Sequence, residues 1–154
     1  MTVINAMRKI IVYTDGSSGN KAGKAGGIGA VLFYGKQRRE IQKGYGNTSN
    51  NRMEVTAVIE SLKIIKAKHI PVVIHSDSQY VVFAFTHGWI KGWEGRKWEG
   101  VKNADLWQEL TKLKRMFNSV TFVWVKGHAD NEWNNYCDKL ASEAKRIYKE
   151  NEDK

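Results

Sequence analysis

IIVYTDGS, at residues 10–17, begins the first clear pattern in this chain of 154 residues. Its first five residues are β-branched or aromatic, which predicts a strand, and Asp15-Gly16 is a strong turn signal that predicts the end of that strand. Two more strand patterns follow at Ile28–Tyr34, opened by Gly26-Gly27, and at Glu40–Tyr45. We therefore expect an antiparallel meander of three strands, with Asp15 at the carboxyl end of the first strand.

The rest of the chain alternates between helix and strand patterns. Apolar residues at three- and four-residue steps predict helices at Asn51–Lys68, Ser78–Phe85, Asp105–Met116 and about Asn131–Tyr148. Runs of β-branched residues predict strands at Val72–Ser76 and Val120–Val125. From Thr86 to Asn103 the sequence is rich in Gly, Trp and Lys and predicts no regular element. The order βββαβααβα indicates an α/β fold, a mixed sheet covered by helices.

Composition limits the class of protein. A chain with 42% hydrophobic residues, one Pro and six Trp predicts one folded domain over residues 1–154, with an ordered core of about residues 8–148. No apolar run approaches the roughly 20 residues of a membrane-spanning helix, and the N-terminus lacks the apolar core of a secretion signal. The one cysteine, Cys137, excludes an internal disulfide. We expect a cytoplasmic monomer that does not bind membranes.

The charge balance points to a polyanionic partner. Twenty-five basic residues stand against 16 acidic ones, for a formal net charge of +9. Such an excess favours nucleic acid, because cations that neutralise phosphates release counterions. Charge alone indicates no reaction.

Four acidic residues fall at positions where side chains meet. Asp15 and Asp77 follow strand patterns, and parallel neighbouring strands would bring their carboxyl ends to one crevice. Glu54 lies in the first turns of a predicted helix, where the helix dipole alone would favour a carboxylate. Asp138 lies on the last helix, turned partly toward the sheet by its apolar stripe. Taken singly, each acid also has a purely structural interpretation.

The residues around these acids carry a family resemblance. The motifs are Thr14-Asp15-Gly16-Ser17, Asn50-Asn51-Arg52-Met53-Glu54, Ser76-Asp77-Ser78-Gln79-Tyr80, Val101-Lys102-Asn103-Ala104-Asp105-Leu106-Trp107, and Lys126-Gly127-His128-Ala129 with Asp138 ten residues after its histidine. In this order and near this spacing, from about Ile10 to Ala144, the sequence resembles the type 1 ribonuclease H family. The resemblance implies a five-stranded mixed sheet of order 3-2-1-4-5 flanked by helices, as a single ribonuclease H domain. It also implies an endonuclease that hydrolyses the RNA strand of RNA/DNA hybrids, leaving 5′-phosphate and 3′-hydroxyl ends.

By the same resemblance, the metal-binding catalytic acids are Asp15, Glu54, Asp77 and Asp138, and His128 assists proton transfer or product release. Elementary electrostatics agrees, because four carboxylates within a few ångströms repel one another unless cations neutralise them. Oxygen ligands suit Mg²⁺, with Mn²⁺ as a substitute. Two ions per site, with substrate bound, suit an in-line displacement at phosphorus.

The resemblance also implies a set of residues that bind the hybrid. Side-chain amides can both donate to and accept from a 2′-hydroxyl, the group that distinguishes RNA from DNA. Contacts to the RNA strand are implied for Asn20, Asn50, Asn51 and Gln79. Ser49 and Asn103 match positions that hold a DNA-strand phosphate, and Trp89 matches the residue that packs on the DNA strand.

Two departures from the family pattern and two alternatives remain. Asn135 stands where an acidic residue often precedes the last aspartate, and the Gly-rich turn at Ser18-Gly19-Asn20 is shortened. One alternative is a catalytically silent hybrid-binding module, and the other is a DNA-directed nuclease of the same fold. The presence of all four acids favours an enzyme, and the amide neighbours favour a hybrid substrate. Few residues precede the first strand, so we expect no separate hybrid-binding domain.

Overall fold

The computed structural model describes residues 8–19, 24–126 and 131–152. Within these residues the strands are β1 (Ile10–Ser18), β2 (Lys24–Tyr34), β3 (Gln37–Thr48), β4 (Val72–Ser76) and β5 (Val120–Trp124). The helices are α1 (Asn50–Ile64), α2 (Gln79–Thr86), α3 (Trp89–Gly95), α4 (Ala104–Lys114) and α5 (Glu132–Glu152). The strands form one mixed sheet of order β3-β2-β1-β4-β5. The predicted fold class and strand order are confirmed, whereas one domain over residues 1–154 stays a prediction.

The centre of the sheet brings two of the acids together. β1 pairs antiparallel with β2 and parallel with β4, and β4 pairs parallel with β5. The parallel ladder of β1 and β4 ends at the pair Thr14–Ser76. Asp15 and Asp77 are the next residues on each chain, so their side chains emerge at the same edge, as predicted for parallel neighbours.

The strands are longer than the sequence pattern indicates. The expectation that β1 ends at Asp15 was wrong, because residues 15–18 continue the strand by pairing with Gly29, Ile28, Gly27 and Gly26 of β2. Likewise β2 begins at Lys24 and β3 extends from Gln37 to Thr48. Asp15 therefore lies inside β1, at the point where the strand has left β4 but still pairs with β2.

Three helix predictions also need correction. Helix α1 ends at Ile64 instead of Lys68, and α5 continues to Glu152 beyond the predicted core. The segment predicted to lack regular structure contains α3, so the element order is βββαβαααβα. This helix forms because Ile90 is buried and Trp93 packs against the core three residues later, although Gly92 and Gly95 weaken the pattern. In the described residues, no helix combines the length and apolar character that crossing a bilayer requires.

The helices cover the sheet unequally. The main core lies between one face of the sheet and helices α1, α2 and α4, and it includes Val12, Ile74, Val58, Leu62 and Trp107. Helix α5 packs on the other face, against β1, β2 and β3.

A glycine allows the close approach of α5 to the sheet. Gly29 pairs with Asp15, and a Cβ added to Gly29 would lie 2.4 Å from the carbonyl oxygen of Cys137. Since a larger residue would push the helix away, glycine at this position brings Cys137 against the sheet and Asp138 toward Asp15. Cys137 is fully buried, as expected for a small apolar side chain.

Candidate active site

Three carboxylates converge at the edge of the sheet. Asp15 comes from β1, Glu54 from α1 and Asp77 from the residue after β4, and one oxygen of each lies within 4.8 Å of the other two. Asp138 of α5 lies within hydrogen-bonding reach of the Asp15 side chain. All four acids line one cavity of about 350 Å³, together with Gly16, Ser17, Asn50, Asn51, Ser78, Asn134 and Asn135. The structure thus brings together all four acids predicted from the sequence, and their metal-binding and catalytic roles stay predictions.

The position of Glu54 depends on a direct contact between α1 and β1. The backbone N–H of Gly16 donates a hydrogen bond to Glu54 Oε1. A Cβ on Gly16 would lie 2.3 Å from the backbone carbon of Met53, so a side chain there would push helix and strand apart. Ser49 begins the helix by accepting a hydrogen bond from the N–H of Arg52. Gly16, the residue after Asp15, therefore allows α1 to bring Glu54 close to Asp15.

Two of the acids, Asp15 and Glu54, are held where their charges are unfavourable without a cation. Asp15 is 5% exposed, and burial, with the charges of Asp77 and Asp138 adding to it, raises the pKa of this carboxyl to about 8. Burial, then the charges of Asp15 and Asp77, also raises the pKa of Glu54 well above its usual value. Four carboxylates in one cavity, two of them buried with raised pKa values, form a donor set that fits a hard divalent cation.

Amide side chains border the acid cavity on one side. Asn50 Oδ1 accepts a hydrogen bond from the backbone N–H of Ser18 at 2.7 Å, and Asn51 lines the same cavity. Gln79 is the first residue of α2, two positions after Asp77, and its side chain is exposed. Two of the predicted RNA-strand residues, Asn50 and Asn51, therefore line the acid cavity, whereas Gln79 does not. Asn20 lies outside the described residues.

Ser49 and Asn103 belong to a second, polar cavity. This cavity of about 580 Å³ is lined by Asn47, Thr48, Ser49, Asn50, Asn51, Arg52, Lys102 and Asn103. The side chain of Asn103 accepts from Arg52 Nη1 at 3.2 Å and donates to the hydroxyl of Tyr80 at 3.1 Å. Asn103 has a left-handed backbone, with φ of 61°. The two residues predicted to share a phosphate therefore line one cavity.

Arg52 is a candidate that the sequence interpretation missed. Its guanidinium contacts Asn103 and pairs with both carboxylate oxygens of Asp105, and Lys102 lines the same cavity. The available signal was a cation between the amides and the acid of Asn50-Asn51-Arg52-Met53-Glu54. Its side-chain contacts are 51 and 53 residues away in sequence, so spacing alone could not reveal them.

Trp89 lies apart from both cavities. It is the first residue of α3 and is 39% exposed, with its ring centroid 6.3 Å from that of Trp93 and 6.4 Å from that of Phe83. An exposed indole packed against partly buried rings can stack on a nucleic acid. His128 falls outside the described residues, so its role stays a prediction.

The sheet order and the acid cluster define the class as a ribonuclease H-like α/β fold. Residues 7–146 match the RNase H family, and the chain belongs to that family.

Relatives and solved structures agree with this assignment. The chain is 43% identical over 145 residues to the ribonuclease H of Clostridium botulinum, covering 90% of this chain and 96% of that protein. It is 46% identical over 144 residues to the ribonuclease H of Chlorobium phaeobacteroides, covering 89% and 95%. LC9-RNase H1, described as a type 1 RNase H with the type 2 active-site motif, superimposes with a TM-score of 0.81 at 32% identity, covering 90% of this chain and 72% of that one. LC11-RNase H1, solved in complex with an RNA/DNA hybrid, shares the fold with a TM-score of 0.71 at 23% identity, covering 91% and 99%.

Proposed function

We propose that this chain is a ribonuclease H, an endonuclease that hydrolyses the RNA strand of RNA/DNA hybrids to 5′-phosphate and 3′-hydroxyl ends. The observation that carries this conclusion is the cavity in the described residues that holds four acids beside four asparagines, Asn50 and Asn51 among them. Carboxylates suit divalent cations, and amides suit a 2′-hydroxyl, so the cavity combines the chemistry of phosphoryl hydrolysis with a means of recognising RNA. Family membership supports the same reaction.

We assign different roles in metal binding to the four acids. Asp15 is the least solvent-exposed of them and has the other three carboxyl groups around it, so it would be the central ligand of the metal site. Glu54, Asp77 and Asp138 complete an all-oxygen ligand set, for which Mg²⁺ is the proposed ion and Mn²⁺ a substitute. When bound, a pair of such ions activates the attacking water and stabilises the leaving oxygen.

Recognition of the hybrid is assigned to the residues around the acids. Asn50, Asn51 and Gln79 present amides for the 2′-hydroxyls of the RNA strand. Ser49 and Asn103, with Arg52 between them, are proposed to hold a phosphate of the DNA strand in the second cavity. Trp89 offers an exposed ring to the DNA strand. The net charge of +9 supports binding of a polyanion.

The proposal also covers residues outside the described parts of the chain. His128 assists proton transfer or product release, because imidazole exchanges protons near neutral pH. Asn20 adds an amide toward the RNA strand. We further propose that the protein works as a monomer in the cytoplasm, where a reducing environment suits its lone thiol.

A cleavage assay tests the reaction and the substrate together. One sequence is prepared as RNA/DNA hybrid, duplex DNA, duplex RNA and single-stranded RNA, and each is incubated with Mg²⁺, with Mn²⁺ and with a chelator. Metal-dependent cutting of the RNA strand of the hybrid alone is the expected result. Binding without cutting in either metal would indicate a silent hybrid-binding module, and cutting of duplex DNA would indicate a DNA-directed nuclease.

Asp15→Asn tests the role of the acids separately from binding. This variant should lose cleavage and keep most of its affinity for the hybrid, since affinity depends mainly on cations and amides. Glu143→Gln is the matched control, because Glu143 is an exposed acid on α5 outside the acid cavity. Equal loss of cutting in both variants would contradict the role proposed for Asp15.

A further inference from the structure

A lysine on α5 reaches the lip of the acid cavity. Lys145 Nζ donates a hydrogen bond to Ser17 Oγ at 3.1 Å, and Ser17 lines that cavity. Both side chains are partly buried. Among residues 8–19, 24–126 and 131–152, no carboxylate forms an ion pair with Lys145. The hydroxyl orients this ammonium group without neutralising its charge.

Two elements place this cation on the same side of the acids. On β1, Ser17 is two residues after Asp15, which puts the two Cα atoms about 6.8 Å apart on the same face. On α5, Lys145 is seven residues after Asp138, which is two helical turns or about 10.5 Å along the same stripe. Because helical side chains lean toward the helix N-terminus, the lysine points back toward Asp138. Both β1 and α5 therefore place the ammonium group of Lys145 beyond the acids, beside Ser17.

The backbone packing makes this position well defined. A Cβ added to Gly27, which pairs with Ser17, would lie 2.7 Å from the backbone nitrogen of Lys145. Helix α5 is thus in direct contact with β2 at this turn, and the root of the lysine is fixed beside Ser17. A lysine whose backbone is held by packing and whose ammonium group is already hydrogen-bonded loses less conformational entropy on binding an anion than a freely moving lysine does.

We propose that Lys145 binds the phosphate of the RNA strand that is adjacent to the scissile phosphate. Asp15 and Ser17 are two residues apart on β1, and this spacing is comparable to the separation of neighbouring phosphates in a nucleic acid. An RNA strand whose scissile phosphate lies at the acids would therefore pass Ser17 with its next phosphate. The acids repel this neighbouring phosphate, and a cation at the lip offsets that repulsion. The inference rests on the proposed function, because it assigns the RNA strand to this cavity.

Three variants test the assignment. Lys145→Gln removes the charge and keeps an amide that can donate to Ser17, and Lys145→Arg restores the charge. Lys149→Gln is the matched control, since Lys149 is an exposed lysine one turn further along α5 and its loss changes net charge equally. KM and kcat are measured on the hybrid, and binding is measured against salt concentration in an Asp15→Asn background, where the substrate stays intact.

The expected result is specific to position 145. Lys145→Gln should raise KM about five-fold, change kcat much less, and reduce the slope of log affinity against log salt by about one, the value for one lost phosphate contact. Lys145→Arg should recover most of the affinity, and Lys149→Gln should match the parent chain. Equal effects of Lys145→Gln and Lys149→Gln would overturn the inference about Lys145. In that case, cleavage of the hybrid by the parent chain would still support the proposed function. Failure of the parent chain to cut the hybrid would refute the proposed function, and the salt slopes would still decide whether Lys145 contacts a phosphate.

Discussion

Replacing Asp15 with asparagine should stabilise the metal-free protein, and increasingly so as the pH rises. The carboxyl titrates at 3.8 under ordinary conditions, and burial raises its pKa to about 8 in the folded chain. Between these values the folded state binds the proton more tightly than the unfolded state, so stability is greatest below the lower pKa and is lost as the pH rises through the higher one. Asparagine has nearly the same shape and no charge to bury.

The size of the effect follows from proton linkage. For these two pKa values, the Asp15 carboxyl alone lowers the free energy of unfolding by about 2–3 kcal/mol between about pH 5 and pH 7. The substitution also removes the Asp15 charge that helps to raise the pKa of Glu54, which acts in the same direction. The stability difference between Asp15→Asn and the parent chain should therefore grow by at least that amount over this interval.

Urea unfolding in a chelator, followed by circular dichroism at several pH values, measures this difference, with Glu143→Gln as the exposed control. Saturating Mg²⁺ should reduce the difference, because a cation that binds only the folded parent stabilises it. Parallel pH profiles for Asp15→Asn and the parent chain would refute the argument that a buried, unneutralised carboxyl destabilises the cleft.

Three further predictions concern packing and binding. Gly16→Ala should destabilise the fold by about 2 kcal/mol or more, because its Cβ would overlap α1, whereas Gly92→Ala meets nothing within 4 Å and should be neutral or stabilising in thermal unfolding. Trp107→Ala should cost about 3–5 kcal/mol in urea unfolding, since this fully buried indole also donates to Tyr80, and a cost below about 1 kcal/mol would contradict its place in the core. Arg52→Met should raise KM for the hybrid several-fold with kcat nearly unchanged, and Asp105→Asn, which breaks the same exposed ion pair, should change stability by less than about 1 kcal/mol and KM little. Equal KM values for the two variants would remove Arg52 from the binding surface.

The periodicity of the sequence predicts most of the elements but not their extents. Asp15-Gly16 has the composition of a turn, yet the strand continues to Ser18 because the glycine-rich segment 26–29 of β2 pairs with it. Helix α3 was missed because two glycines interrupt a short pattern, while the contacts that stabilise it come from the core. Local sequence reports propensity, and these outcomes depend on tertiary pairing.

The acid positions were predictable because each acid sits in a recognisable motif at the end or face of an element. The charged groups around them were not. Arg52 meets Asn103, and Lys145 meets Ser17, through contacts that span 51 and 128 residues. The raised pKa of Asp15 likewise depends on burial and on neighbours from separate elements. These contacts and pKa shifts arise only in the folded chain, where residues distant in sequence are close in space.

The four acids occur far apart along the chain, and this has a consequence for synthesis. Asp15, Glu54 and Asp77 come from the first half of the chain, whereas Asp138 lies on α5, the last helix. A nascent chain that has folded its first four strands still lacks the fourth carboxylate and the helix that closes the cleft. With the roles proposed for the four acids, a nascent chain gains complete activity only after α5 has left the ribosome and packed on the sheet.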